Sequence, residues 1–195
     1  MRAVKTVMVR LRISLARSIA PVWREVEISE RASLALCGQA LALLFFDYLS
    51  DGEFTIDGRR FPVGEDDDWH AVPALPLLAD VLQAPGQRFG FSRSCDTTWV
   101  FDVEYAARLE SSESAPICVG GAGAMPTDEF NNIENFNDYC RALAAPKAQP
   151  YNGSDRFLED VEANRDRWLV DFGLDLANDR LREISPTSVT KRSKK

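Results

Sequence analysis

Apolar and polar residues alternate near the start of the chain, with Val7, Val9, Leu11, Ile13 and Leu15 on one side and Arg10, Arg12 and Ser14 on the other. A period of two places the two sets on opposite faces of a half-buried strand. Trp23 to Ile28 continues the pattern as a hairpin partner, with Val22, Val26 and Ile28 on one side and Trp23, Glu25 and Glu27 on the other. Arg24 has the parity of the apolar side. A guanidinium directed there needs either a bulge that turns it away or a carboxylate that pairs with it, and Asp128 and Glu129 are the expected partners.

The period then changes. Leu34, Cys37, Leu41, Leu44, Phe45 and Tyr48 recur at helical spacing behind the capping candidates Ser29 and Ser33. Glu53 to Val63 reads as a hairpin turning at Asp57-Gly58, followed by the acidic loop Gly64 to Asp68 and by Trp69-His70. A short helix from Pro76 to Leu82 leads into two more strands. In the second, Trp99, Phe101, Val103, Tyr105 and Leu109 alternate with Asp102, Glu104 and Arg108. Phe157, Leu158, Val161, Trp168 and Leu169 predict a further helix, Leu174 to Ile184 a last one, and residues 185–195 a disordered tail.

The stretch from Pro116 to Pro146 organises the rest. Gly120, Gly121 and Gly123 predict a sharp turn after Cys118, Pro126 fixes a further angle, and Thr127 or Asp128 is placed to cap the next element. Asn131, Asn132 and Asn135 tolerate positive φ, so at least one is predicted to adopt it. Ile133, Phe136, Cys140 and Leu143 then mark one face of a helix that ends before Pro146.

This stretch resembles the plasmid pRiA4b ORF-3-like family, whose pattern runs roughly P-x-C-x-x-G-x-x-x-x-P-P-E-D-x-G-G-x-x-G-Y. Pro116, Cys118, Gly121 and Pro126 match it, Phe136 stands for the tyrosine, Asp128-Glu129 reverses the acidic pair, and Asn131, Asn132 and Asn135 replace the glycines. Pro21-Val22-Trp23-Arg24 and the series Phe172, Leu174, Asn178, Leu181 extend the resemblance. It implies a protein of plasmids and mobile elements. The family's histidines fall on Phe101, Gly38 and a position near Ser50, so acid–base or metal chemistry that relatives run through them is not open to this chain in the same form.

Strands, a helix, hairpin strands and C-terminal helices predict one α+β domain over residues 1–184, a mixed or antiparallel sheet with helices on one face, its start analogous to a ubiquitin-like roll. No apolar run approaches the ~20 residues of a membrane span. The four cysteines lack C-x-x-C spacing and no signal peptide is visible, which predicts reduced thiols in the cytoplasm and no bound metal or cofactor. Ten of the 23 basic residues lie in 1–24 and 191–195, where no acid occurs, leaving 13 against all 30 acids between, a net of −17. Such a body repels phosphate, so nucleic acid is excluded except through the basic termini, and a basic protein surface is the better match.

Candidate chemistry is thin. His70, the only histidine, lies in a charged loop and reads as a bystander. Asp96, Asp128 and Glu129 are the weak catalytic candidates, though adjacent acids at a helix start serve more readily as caps. The glycine turn lacks the G-K-S/T ending of a phosphate loop. Trp23 and Trp99 form either an aromatic platform or core. The structural or binding set is Trp23, Arg24, Trp99, Cys118, Gly121, Pro126, Asp128, Glu129, Asn131 and Asn132. The expectation is a non-catalytic binding or accessory protein acting on another protein. The alternative is a hydrolase using Asp96, Asp128 and Glu129, and the third reading a DNA-associated accessory protein.

Overall fold

The computed structural model of the protein describes residues 5–46, 51–64, 75–94, 96–144, 163 and 169–184. The opening alternation forms β1 (Thr6–Leu15) and β2 (Trp23–Ser29), an antiparallel pair in which Leu11 lies opposite Val26 and Ile13 opposite Arg24. The helix α1 (Leu34–Phe45) comes next, its first turn capped by the Ser33 hydroxyl, which accepts from the Leu36 N–H. The hairpin β3 (Gly52–Ile56) and β4 (Arg59–Val63) turns where predicted, because Asp57 (φ 49°) and Gly58 (φ 75°) both take the left-handed angles a two-residue turn demands. The short helix is smaller than its apolar spacing implied, α2 (Leu78–Val81) only. Pro76 and Leu77 are drawn into main-chain bonding with Leu34 and Ser33 instead.

Next come β5 (Arg88–Ser94), the long β6 (Thr98–Ser111), β7 (Ile117–Ala122), β8 (Met125–Pro126), a one-turn 3-10 helix (Asp128–Phe130), α3 (Ile133–Ala144), β9 (Leu169–Val170) and α4 (Leu174–Glu183). Seven strands form one sheet in the order β4-β3-β5-β6-β1-β2-β7, and every pairing is antiparallel rather than mixed. Leu169 sits in β9, paired with Pro126, and not on a helix. Adjacent apolar residues such as Trp168 and Leu169 carry no period that separates the two states. The remaining residues of that predicted helix, with Tyr48, residues 65–70, Cys95 and the tail, lie outside the described residues.

One face of the sheet carries the core. Leu11, Ile13, Val26, Phe101 and Val103 join α1, Phe136 and Tyr139 of α3, and Ala177 and Leu181 of α4 in a single apolar cluster. Close ring contacts, such as Phe45 with Phe101 at 4.6 Å, tie α1 to the central strand β6. The other face, open among the described residues, carries charged side chains. Cross-strand pairs Arg10–Glu27, Arg12–Glu25 and Arg88–Glu104 neutralise one another across it, each worth a few tenths of a kcal/mol to about 1 kcal/mol. No helix among the described residues is long and apolar enough to cross a membrane.

Candidate functional site

The segment from Ile117 to Phe130 grips the sheet at two places, and most of the candidate residues belong to one or the other. The first is centred on Arg24, whose side chain is 1% exposed. Strand parity does carry it inward. The bulge lies on the neighbouring strand, at Val119, which is left without a partner where the pairing shifts between Glu25 and Val26.

The carboxylate expected at Arg24 is not there. Its Nη1 donates to the carbonyls of Trp23 and Ala122 (both 2.8 Å), Nη2 to Gly123 (3.1 Å) and Nε to Leu44 (3.3 Å). Phe45 and Phe172 stack against the guanidinium at 4.9 and 4.4 Å. The physical reason is the end of α1. Its Leu44 carbonyl, at the negative end of the helix dipole, joins the carbonyls of Trp23 in β2 and of Ala122 and Gly123 at the end of β7, so a planar five-donor cation is satisfied by main chain alone. Two more arginines close the same helix end. Arg180 of α4 donates to the Phe46 carbonyl (3.3 Å), and Arg93 of β5 stacks 3.7 Å from the Phe46 ring centroid. Burial lowers the Arg24 pKa to about 10, an effect that Cys118 opposes and that the Arg180 charge, to a lesser extent, reinforces.

Glycine serves a different end here than sequence spacing implied. Gly120 and Gly121 lie in β7, and the chain turns only at Gly123 (φ 77°), where a Cβ would meet the Pro21 carbonyl oxygen at 2.3 Å. At Gly121 a Cβ would lie 2.7 Å from the Phe172 ring and 2.8 Å from Cδ of Arg24. The missing side chain makes room for the stacked pair.

Asp128 forms the second grip. Its Oδ1 accepts from the Trp99 indole at 2.8 Å, its Oδ2 faces Nη1 of the fully buried Arg93 at 3.6 Å, and its carbonyl accepts from the Thr97 hydroxyl. Asp128 therefore does not cap α3, as adjacent acids at a helix start predicted. Asn132 does, accepting from the Asn135 N–H at 2.8 Å. The cause is the intervening 3-10 turn, closed by Asn131 at φ 60°, which carries the acids one turn ahead of the helix. Of the three asparagines in the glycine positions, Asn131 alone has positive φ.

The other candidates scatter. Asp96 and Glu129 are exposed, on the β5–β6 turn and the 3-10 turn. Trp99 faces the core, while Trp23 lies on the open face beneath the Arg12 guanidinium (3.9 Å), so the two cannot share a platform. Pro126 pairs with Leu169, and the buried Cys118 thiol donates to the Gly120 carbonyl. Burial raises the Cys118 pKa. Three contributors escaped sequence reasoning in these roles: Arg93, Phe172 and Asn178, whose carboxamide bonds both the N–H and the carbonyl of Cys118. Arg93 carried a readable signal, since it shares the parity of Phe89 and Phe91 as Arg24 shares that of Val22 and Val26.

The family model of the plasmid pRiA4b ORF-3-like proteins matches residues 7–171. Among solved structures the chain is similar to a protein of unknown function from Methanosarcina mazei Go1, with a TM-score of 0.62 and 16% identity over 88% of this chain and 96% of that one. That likeness is one of fold. No curated protein matches the chain.

Proposed function

The chain belongs to the plasmid pRiA4b ORF-3-like protein family, and on that footing we propose that it is a cytoplasmic, non-catalytic binding or accessory protein acting on another protein in a plasmid, mobile-element or defence setting. The observation that carries this reading is the disposition of Asp128. A general acid–base carboxylate presents an oxygen to the reacting group and exchanges its proton during turnover. Asp128 instead directs one oxygen at the Trp99 indole and the other at buried Arg93. It works as an internal strut. The strongly acidic body between the basic ends favours a partner with a basic surface, and the reading requires no metal or cofactor.

The test separates this from a hydrolase. The wild type and the variant carrying Asp96→Asn with Glu129→Gln are assayed against esters, phosphoesters and peptides, with thermal melts to verify folding. The expected result is no turnover that depends on either carboxylate. A hydrolytic activity lost in the variant at unchanged melting temperature overturns the proposal in favour of the enzyme.

A further inference from the structure

Among the described strands β7 is the outer member of the sheet beyond β2. In an antiparallel ladder alternate residues turn both N–H and C=O outward, and on an edge strand those groups invite a further strand. Cys118 is such a residue. Its N–H donates to Oδ1 of Asn178 (2.8 Å) and its carbonyl accepts from Nδ2 (3.0 Å). The carboxamide thus makes the pair of bonds that a neighbouring strand would make. On either side, Ile117 and Val119 are each 37% exposed. The opposite edge is blunted by its own sequence, because β4 carries Arg59, Arg60 and Pro62, and proline brings no N–H. Among the described residues it is α4 that guards β7, with Asn178 on its main chain.

The ten-residue α4 starts at Gly173 without a side-chain cap and leaves Leu174 and Leu176 exposed. It rests on the buried Ala177, Leu181 and Ile184, on the Asn178 amide and on the Arg180–Phe46 bond. A helix of this length has little stability once undocked.

We propose that Asn178 is a latch, and that release of α4 opens β7 to antiparallel pairing with β7 of a second copy. An edge strand is self-complementary under two-fold symmetry. Centred on Cys118, each chain supplies one N–H and one C=O, and Ile117 of each copy lies opposite Val119 of the other, giving two apolar cross-strand pairs. This device is independent of the binding role proposed above.

Light scattering over a concentration series tests it on the full chain. The wild type is expected to hold the single-chain mass, Asn178→Asp and Asn178→Ala to rise about twofold in mass with concentration, and Val119→Lys added to Asn178→Asp to restore the single-chain mass. In the associated form the Cys118 amide regains protection from hydrogen exchange. If the Asn178 variants fail to fold, Arg180→Ala loosens α4 without touching the edge and is expected to associate more weakly. Folded variants that keep the single-chain mass throughout overturn the proposal. So does association that Val119→Lys leaves unchanged, or a wild type already dimeric with its latch closed.

Discussion

Trp99 on β6 donates its indole N–H to Asp128, 29 residues further on, at 2.8 Å, and this bond fastens the 3-10 turn to the central strand of the core. Because Trp99 is 1% exposed, the donor has little access to water if the carboxylate is lost. Asp128→Ala is expected to cost about 3 kcal/mol, and Asp128→Asn about half of that, since an amide oxygen can still accept but no longer balances Arg93. Urea unfolding measures both. In a double-mutant cycle with Trp99→Phe the coupling is expected at about 1 to 2 kcal/mol. A coupling near zero would show that the bond contributes only geometry.

Arg24 is expected to behave as a helix stopper made from another element. Truncating it to alanine strips four carbonyls of their donor and removes the filling between Phe45 and Phe172. The cost should be at least about 3 kcal/mol. Arg24→Lys keeps the charge but cannot reach carbonyls on three sides of a plane, so about 2 kcal/mol is expected to be lost. Equilibrium denaturation decides. If Arg24→Lys is as stable as the wild type, charge at the helix end is what matters and the fork is not.

These two centres mark how far the sequence could be read. Period-two and helical spacings gave β1, β2, α1, β6 and the β3–β4 hairpin, because each buries one face only and the register is written in the side chains. Parity also sent Arg24 inward. What compensates it was not legible, since the acceptors are main-chain carbonyls of Leu44, Trp23, Ala122 and Gly123, and a carbonyl has no letter of its own in a sequence. The same holds for Asn137, whose carboxamide joins α3 to the carbonyl of Arg17 and the N–H of Ile19. Glycine was legible as a need for space or freedom. Which of the two applied at Gly121 depended on Phe172, 51 positions away.

The buried thiol of Cys37 gives a pH signature. Burial pushes its pKa up to about 12 from 9.0, so between those values the folded state keeps a proton that the unfolded chain has lost. Its contribution is complete below pH 9 and declines as pH rises toward 12, by at most about 1.4 kcal/mol per unit. Arg24 acts in the opposite sense above pH 10, where its lowered pKa makes the unfolded chain the one that holds the extra proton. The comparison of wild type with Cys37→Ala therefore belongs at about pH 8 to 10, below the Arg24 window. Unfolding by denaturant should show the stability difference narrowing as pH rises, and alkylation of Cys37 should proceed no faster than global unfolding.

Gly120 and Gly121 are neighbours in one strand, both reading as turn residues in sequence, yet their surroundings differ. A Cβ on Gly120 would meet the Trp23 ring at 3.6 Å, an ordinary contact on the open face. On Gly121 it would press the Phe172 ring at 2.7 Å and the Arg24 side chain at 2.8 Å, inside the cation–aromatic stack. Gly120→Ala is therefore expected to change stability by less than about 0.5 kcal/mol, and Gly121→Ala to cost about 1 to 3 kcal/mol as an overpacked core does. Replacing Phe172 by leucine should itself weaken the fold by losing the stack. Adding Gly121→Ala to Phe172→Leu should then cost less than adding it to the wild type, because the ring that obstructed the new methyl is gone. Thermal or chemical unfolding of the wild type, the two single variants and the double variant gives the cycle. Equal costs at the two glycines would mean that backbone freedom, rather than the ring seated against Arg24, is what β7 requires at this point.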